Sequence, residues 1–192
     1  QHYSGGSTTI PGLFGLLYGL HASYHGYFKA SPDSYPSQFT ETLNQQGYDM
    51  RVYTTSNLDG FALKSLFFSK VKPEHYHDFV EDTDLVNRWL KDQTLRAPNT
   101  PKFDFIFLTA SHSPYRYLDG FAKFQPVPLV QGGFALNTQA DATMYLNKYY
   151  NSLFYEDHLA GRILDYLEKR PEFQNTWGMA AIIPAGKCKR RC

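Results

Sequence analysis

The residues of this chain most suited to chemistry begin at TIPGLFGLLYGLHASYHG, which runs from Thr9 to Gly26. Ser7, Thr8 and Thr9 carry hydroxyls of the kind that cap helix N-termini by accepting backbone N–H bonds. Pro11 suits a first helical turn, where its missing N–H costs nothing. Leu13, Leu16, Leu17 and Leu20 recur every three or four residues and predict one buried face. Gly19 and Gly26 punctuate the exit. A helix N-terminus also offers unpaired N–H groups and partial positive charge, which favour sulfate, phosphate or carboxylate. Two readings follow: a capped core helix without chemistry, or an anion site with a hydroxyl at its mouth.

Other side chains with reactive or ligating potential are scattered. His112 lies just past an apolar run, at a strand end where α/β sheets place ligand groups. His75-Tyr76-His77-Asp78 has metal-ligand side chains, but the two histidines stand two apart in an irregular segment, so metal binding is the minor reading there. Asp157 falls in a long helical stretch and reads as structural. Lys187, Lys189, Arg190 and Arg191 could attract anionic lipid, although a frayed terminus explains them as well.

These residues need elements to position them. Gln38 to Gln46 reads as a short helix closed by Gly47, and Tyr48 to Thr54 alternates like a strand. Residues 56 to 80 read as irregular and aromatic. Thr83 to Gln93 is helical in pattern, with Leu85, Val86, Trp89 and Leu90 on one face. FDFIFLTA (103–110) is the clearest strand, apolar enough for a sheet covered on both faces. A loop then leads to about Gln139. The longest helix is expected from about Ala140 to Lys169, its apolar stripe traced by Tyr145, Tyr149, Leu153, Ala160, Ile163, Leu164 and Leu167. GMAAII (178–183) could form another strand. Helices alternating with apolar strands imply an α/β layered fold.

Composition sets the bounds. A chain of 192 residues suits one domain or a piece of a larger one, and 42% hydrophobic with 17% aromatic residues supply a sizeable core. A net charge of +1, with no basic face before the last six residues, argues against a general nucleic-acid binder. No apolar run reaches the length of a membrane span, and no leader pattern is present. The opening Gly/Ser turn suggests a fragment or a processed product. Cys188 and Cys192 both lie in the tail and cannot staple the core.

Three segments, in order, resemble the sulfatase and alkaline phosphatase superfamily. Thr9, Pro11, Leu16, Gly19, His25 and Gly26 fall at the offsets of the sulfatase signature C-x-P-S-R-x-x-L-x-T-G-x-x-x-x-x-H-G. FIFLTASHSPYRY resembles the family strand ending in a His-x-Pro-aromatic loop, through His112, Pro114 and Tyr115. YYNSLFYEDHLAGRILDYLEKRPEFQNT resembles the family helix Y-x-N-S-x-x-Y-x-D-x-x-x-G-x-x-L-x-x-L followed by Asn-Thr. The resemblance implies an α/β, alkaline-phosphatase-like layered sheet flanked by helices, incomplete in this chain. Residues 1–176 would form a partial sulfatase-like domain, and 177–192 a tail that departs from the family and could be non-native. HYSGGSTTIPGLFGLLYGL, LNQQGYDMRVYTTSNLDGF and the FQP at 124–126 are most similar to sulfatase-like domains of Gram-negative inner-membrane proteins linked to lipopolysaccharide control and cardiolipin. That likeness implies a membrane-tethered parent protein with this domain on the periplasmic face.

The departures shape the expected chemistry. Thr9 stands where sulfatases oxidise a cysteine to formylglycine, and Gly12 and Leu13 replace the Ser-Arg that guides the oxidation, so formylglycine chemistry is excluded. Thr9 is similar instead to the nucleophile of lipoteichoic acid synthases and phosphoethanolamine transferases. The resemblance implies catalysis by Thr9, also a metal contact, with a divalent metal (calcium, magnesium, manganese or zinc) in the parent protein, and contact of His112 with the ester's leaving side. A nucleophile and a leaving-group contact must reach one ester, so the two are expected to converge. Neither half of the family's metal site is found in this chain: its acidic strand would precede Gln1, and no Asp-His pair follows Thr176. The implied function is hydrolysis or transfer of a sulfate or phosphate ester. The alternative is an inactive sulfatase-like module that binds anionic lipid or protein partners in envelope lipid regulation. No nucleic-acid partner is expected.

Overall fold

The computed structural model of the chain describes residues 8–128 and 139–179. They fall into two compact units. The first comprises residues up to Phe79 together with Thr94–Phe107, and the second comprises Val80–Gln93 and Leu108–Gly178.

The first unit is a small parallel sheet with helices on it. Strand β1 (Asp49–Thr54) is central, with β2 (Tyr76–Asp78) on one side and β3 (Lys102–Phe107) on the other. Both pairings are parallel, with Val52 opposite Tyr76 and opposite Phe105. Side chains alternate across a strand, and Met50 and Val52 share a face with Phe103, Phe105 and Phe107. On that face pack α1 (Thr9–Tyr18) and α4 (Leu63–Phe68). Phe14, Val52, Leu66 and Phe67 are fully buried there, each worth about 1.5–3 kcal/mol of transfer free energy.

Several expectations change in this unit. The buried face of α1 is Leu13, Phe14 and Leu17, whereas Leu16 and Leu20 are 37% and 40% exposed. Phe14 turns the helix: its ring stacks on Tyr18 at 4.6 Å and meets Phe28 edge-on at 5.4 Å. Gly19, at φ 67°, ends α1, its N–H donating to the Gly15 carbonyl. Gly26 does not punctuate the exit; it lies inside α2 (His25–Ala30). Residues 56–80 are more ordered than their irregular pattern suggests, since they hold α4 and β2, whose residues are too few for periodicity to register. Helix α3 (Gln38–Gln45) ends as expected before Gly47, at φ 74°. All six residues of β3 are half-buried rather than covered on both faces, as suits its terminal place in the order β2-β1-β3.

The opposite sheet face carries charge. Asp49, Arg51 and Asp104 project there, and Arg96 reaches both carboxylates: Nε donates to Asp49 Oδ2 at 2.6 Å, and Nη1 to Asp104 Oδ1 at 2.5 Å. Elsewhere in the unit, the Tyr18 hydroxyl donates to the carbonyls of Tyr35 and Leu66, and burial pushes this phenol up to about 12.

The second unit is built on α6 (Gln139–Glu168) and most of α5 (Asp82–Leu95). Trp89 meets Tyr166 edge-on at 5.5 Å, and Arg162 donates to Asn87 at 2.7 Å. The buried face of α6 is not the expected apolar stripe: Lys148, Asn151, Ser152, Tyr155 and Leu159 are buried, while Ala160 and Leu164 are exposed. Part of this polarity serves the loop beside the helix, since Asn151 bonds both the N–H and the C=O of Phe124. Residues 178 and 179 form no strand; the rest of GMAAII and the tail, including Cys188, Cys192 and its basic residues, lie outside the described residues.

Candidate functional site

Thr9 is the first residue of α1, and Thr8 is the N-cap, in extended conformation at φ −136°, ψ 169°. Thr8 makes no side-chain cap bond; its carbonyl accepts the Gly12 N–H at 3.1 Å. The half-buried Thr9 side chain has no hydrogen-bond partner among the described residues. The cap expected of these hydroxyls is therefore not made by Thr8 or Thr9. Among the described residues no side chain is seen to accept the early N–H groups of this ten-residue helix, and the Thr9 hydroxyl stands beside them. Behind this helix, the His25 ring lies edge-on to Phe14 at 5.6 Å, and its buried Nε2 has no partner among the described residues.

Two adjoining clefts open at the C-terminal ends of β1 and β2. One, of about 470 Å³, is lined by Asp59, Lys64, Phe68 and Tyr76 among others; the second, of about 300 Å³, by Thr55, Ser56, Asn57 and Phe79. Lys64 Nζ sits 4.0 Å from the Tyr76 ring centre and 4.0 Å from Asp59 Oδ1. Burial raises the Tyr76 phenol, with the Asp78 and Asp59 charges adding to it. Thr9 lines neither cleft.

His112 belongs to the second unit and is exposed. Its Nδ1 lies 2.9 Å from the Ser113 carbonyl. With Nδ1–H donating to that oxygen, Nε2 is the nitrogen left for a ligand. The turn is closed by His112 N–H to Thr109 O at 2.9 Å, Tyr115 N–H to His112 O at 2.7 Å and Arg116 N–H to Ala110 O at 3.0 Å.

Sequence reasoning missed two carboxylates against this turn. Asp82, 5% exposed at the start of α5, accepts the N–H groups of Thr109 and Ala110. Glu156 on α6 accepts that of Ser111 at 2.9 Å. Burial raises the Glu156 carboxyl, the Ser111 N–H and hydroxyl oppose this, and the Asp82 charge adds to it. Glu156 sat inside the quoted Y-x-N-S-x-x-Y-x-D pattern at a position the pattern leaves open. Asp82 lay just before the helix expected from Thr83 to Gln93, with no motif to mark it. The pattern's other positions have structural roles: Asn151 bonds both the N–H and the C=O of Phe124, and the Tyr155 and Thr83 hydroxyls lie 2.5 Å apart. Burial lowers the Lys148 ammonium on the same helix face.

No group of three or more His, Cys, Asp or Glu among the described residues could hold a metal ion. His75 Nδ1 lies 3.3 Å from Asp49 Oδ1, and the His77 ring packs on Tyr53 at 5.2 Å. The described donors therefore do not fit the divalent metal that the resemblance implies at Thr9. Among the described residues no helix is long and apolar enough to cross a membrane.

Comparison with known proteins bears on fold and family. The chain is similar to the crystal structure of a protein in the alkaline phosphatase superfamily from Vibrio parahaemolyticus, with a TM-score of 0.53 and 19% sequence identity. The match covers 88% of this chain and 41% of that one, so the chain spans less than half the length of its structural relative. The fold is thus the mixed α/β arrangement of that superfamily, present in part. The family model described as Sulfatase matches residues 1–177, and the chain belongs to the sulfatase family.

Proposed function

We propose that this chain is the threonine-bearing part of a sulfatase-family hydrolase or transferase acting on sulfate or phosphate esters. The observation that supports the reading is Thr9 at the first position of α1, its hydroxyl beside the early N–H groups of that helix and without a hydrogen-bond partner among the described residues. In this reading Thr9 Oγ1 attacks the sulfur or phosphorus, the alcohol departs, and water or a second hydroxyl releases the group from Thr9. The charge that develops on the ester oxygens is met by N–H groups at the start of α1. His112 contacts the leaving side through Nε2. Calcium, magnesium, manganese or zinc belongs to the parent protein in this reading, held by residues other than those described. The parent is membrane-tethered, with this domain on the periplasmic face of the inner membrane.

The test is hydrolysis of an aryl sulfate and of a bis-aryl phosphate with each of the four metals added. We expect no turnover from the 192-residue chain and metal-dependent turnover from a longer protein carrying a whole sulfatase domain, abolished by Thr9→Ala. Turnover unaffected by Thr9→Ala would remove Thr9 from the chemistry. A longer protein that is inactive yet binds vesicles of anionic lipid would instead be a non-catalytic module of envelope lipid regulation.

A further inference from the structure

Three consecutive backbone N–H groups, those of Thr109, Ala110 and Ser111, are each held by a carboxylate. Asp82 takes the first with both oxygens at 3.1 Å and the second with Oδ2 at 2.8 Å, and Glu156 Oε1 takes the third at 2.9 Å. Successive N–H groups of this kind make an anion-binding concavity; here its anions are side chains of two different helices. Such charge-assisted bonds are shorter and stronger than neutral ones. They also bring two negative groups to one short loop, an arrangement that opposes itself electrostatically.

The turn they hold continues directly into His112. His112 N–H bonds back to Thr109 O, and Arg116 N–H to Ala110 O, so the clamped residues are also the acceptors that close the turn. Tyr115 stands at φ 59°, a left-handed conformation unusual for a bulky side chain. Its ring meets Tyr149 of α6 at 5.4 Å. Backbone of this kind persists where its surroundings over-determine it. A loop that needed only to connect β3 to the next segment would require neither two carboxylates nor a left-handed tyrosine.

We propose that Asp82 and Glu156 are positioning residues: by clamping the N–H groups of Thr109, Ala110 and Ser111 they fix the turn that presents the His112 imidazole to an ester. The proposal rests on the reading of His112 as a leaving-side contact, but the clamp itself can be tested without ester or metal.

The experiment is NMR of the full chain with isotope-labelled histidine, His112 being assigned among seven histidines by His112→Gln. In the wild type we expect one sharp imidazole signal for His112. Glu156→Ala should split or broaden it, leave the other six histidines in place, and speed Ser111 amide exchange at least tenfold. Glu156→Gln, whose amide oxygen accepts the same N–H, should restore both. If Asp82→Ala does not fold, Asp82→Asn keeps one acceptor and should broaden His112 less than Glu156→Ala. A folded Glu156→Ala chain with wild-type His112 signals and Ser111 exchange would overturn the proposal, as would a Glu156→Gln chain that behaves like the alanine variant. If the clamp result holds while inorganic phosphate leaves His112 unshifted in an active longer protein, the ester role of His112 fails and the clamp stands.

Discussion

Arg96 is bound to Asp49 at two levels: Nε donates to the Asp49 carboxylate at 2.6 Å and Nη2 to its backbone carbonyl at 2.5 Å. The Arg96 side chain is 1% exposed, and its remaining arm pairs with Asp104, across from Arg51 in the β1–β3 register. One guanidinium therefore ties the starts of two parallel strands together, which its planar fork of donors permits.

Removing that fork leaves two carboxylates poorly solvated, and breaking such a pair from one side typically costs about 3–5 kcal/mol. Arg96→Met is expected to destabilise the chain by about 3 kcal/mol in urea titration. Burial pushes the Asp49 carboxyl up, but the hydrogen bond and charge of Arg96, with Arg51, outweigh it and hold it below its ordinary value. A depressed carboxyl contributes stability above its unfolded value, near about 3.9, and loses it as pH falls through the folded value. The gap between wild type and Arg96→Met should therefore narrow below about pH 4. A gap unchanged from pH 7 to 3 would refute this account.

Asn151, fully buried on α6, accepts the Phe124 N–H at 2.7 Å and donates to its carbonyl at 2.9 Å. Asn147, one turn earlier, donates to the Pro126 carbonyl at 3.0 Å. Alanine at 151 strands a donor and an acceptor, at about 1–3 kcal/mol each when both stay buried. Asn151→Ala should cost about 2–4 kcal/mol and speed exchange of the Phe124 amide, whereas Asn147→Ala, at an exposed bond, should cost under about 1 kcal/mol. Equal costs at the two sites would show that the Phe124 clamp is not the anchor.

Glu156 gives a pH dependence of opposite sign. Its carboxyl is raised, chiefly by burial, so folding favours the protonated form. That contribution is fully present below the unfolded value, near about 4.3, and is lost as pH rises through the folded value. Glutamine stays neutral while keeping an acceptor for Ser111. The stability of Glu156→Gln relative to wild type should therefore grow between pH 4 and 7 in thermal melts; a constant difference would exclude the effect.

Thr9→Ala separates chemistry from folding. Thr8 holds the N-cap position and the Thr9 hydroxyl has no described partner, so stability should change by less than about 0.5 kcal/mol. A loss above about 1 kcal/mol in denaturant titration would mean that the hydroxyl serves the helix after all.

The sequence by itself determined the elements whose signal is local. Alternation marked β1, the apolar run marked β3, Gly19 and Gly47 marked the ends of α1 and α3, and three- and four-residue apolar spacing marked α5 and α6 to within a residue or two. The ordered family offsets from Thr9 to Thr176 identified the sulfatase family before any coordinate. Tertiary structure decided what depends on partners distant in the chain. The three residues of β2 become a strand because β1 supplies their ladder, not because of any period of their own. The apolar spacing of α6 pointed to the wrong face, since a polar face can be buried when a loop backbone needs its hydrogen bonds. Asp82 and Glu156 are 74 residues apart in sequence, and nothing local marks either as an acceptor for the turn before His112. Periodicity records burial against a neighbouring surface; a hydrogen bond between remote residues leaves no period, and only the fold brings its two ends together.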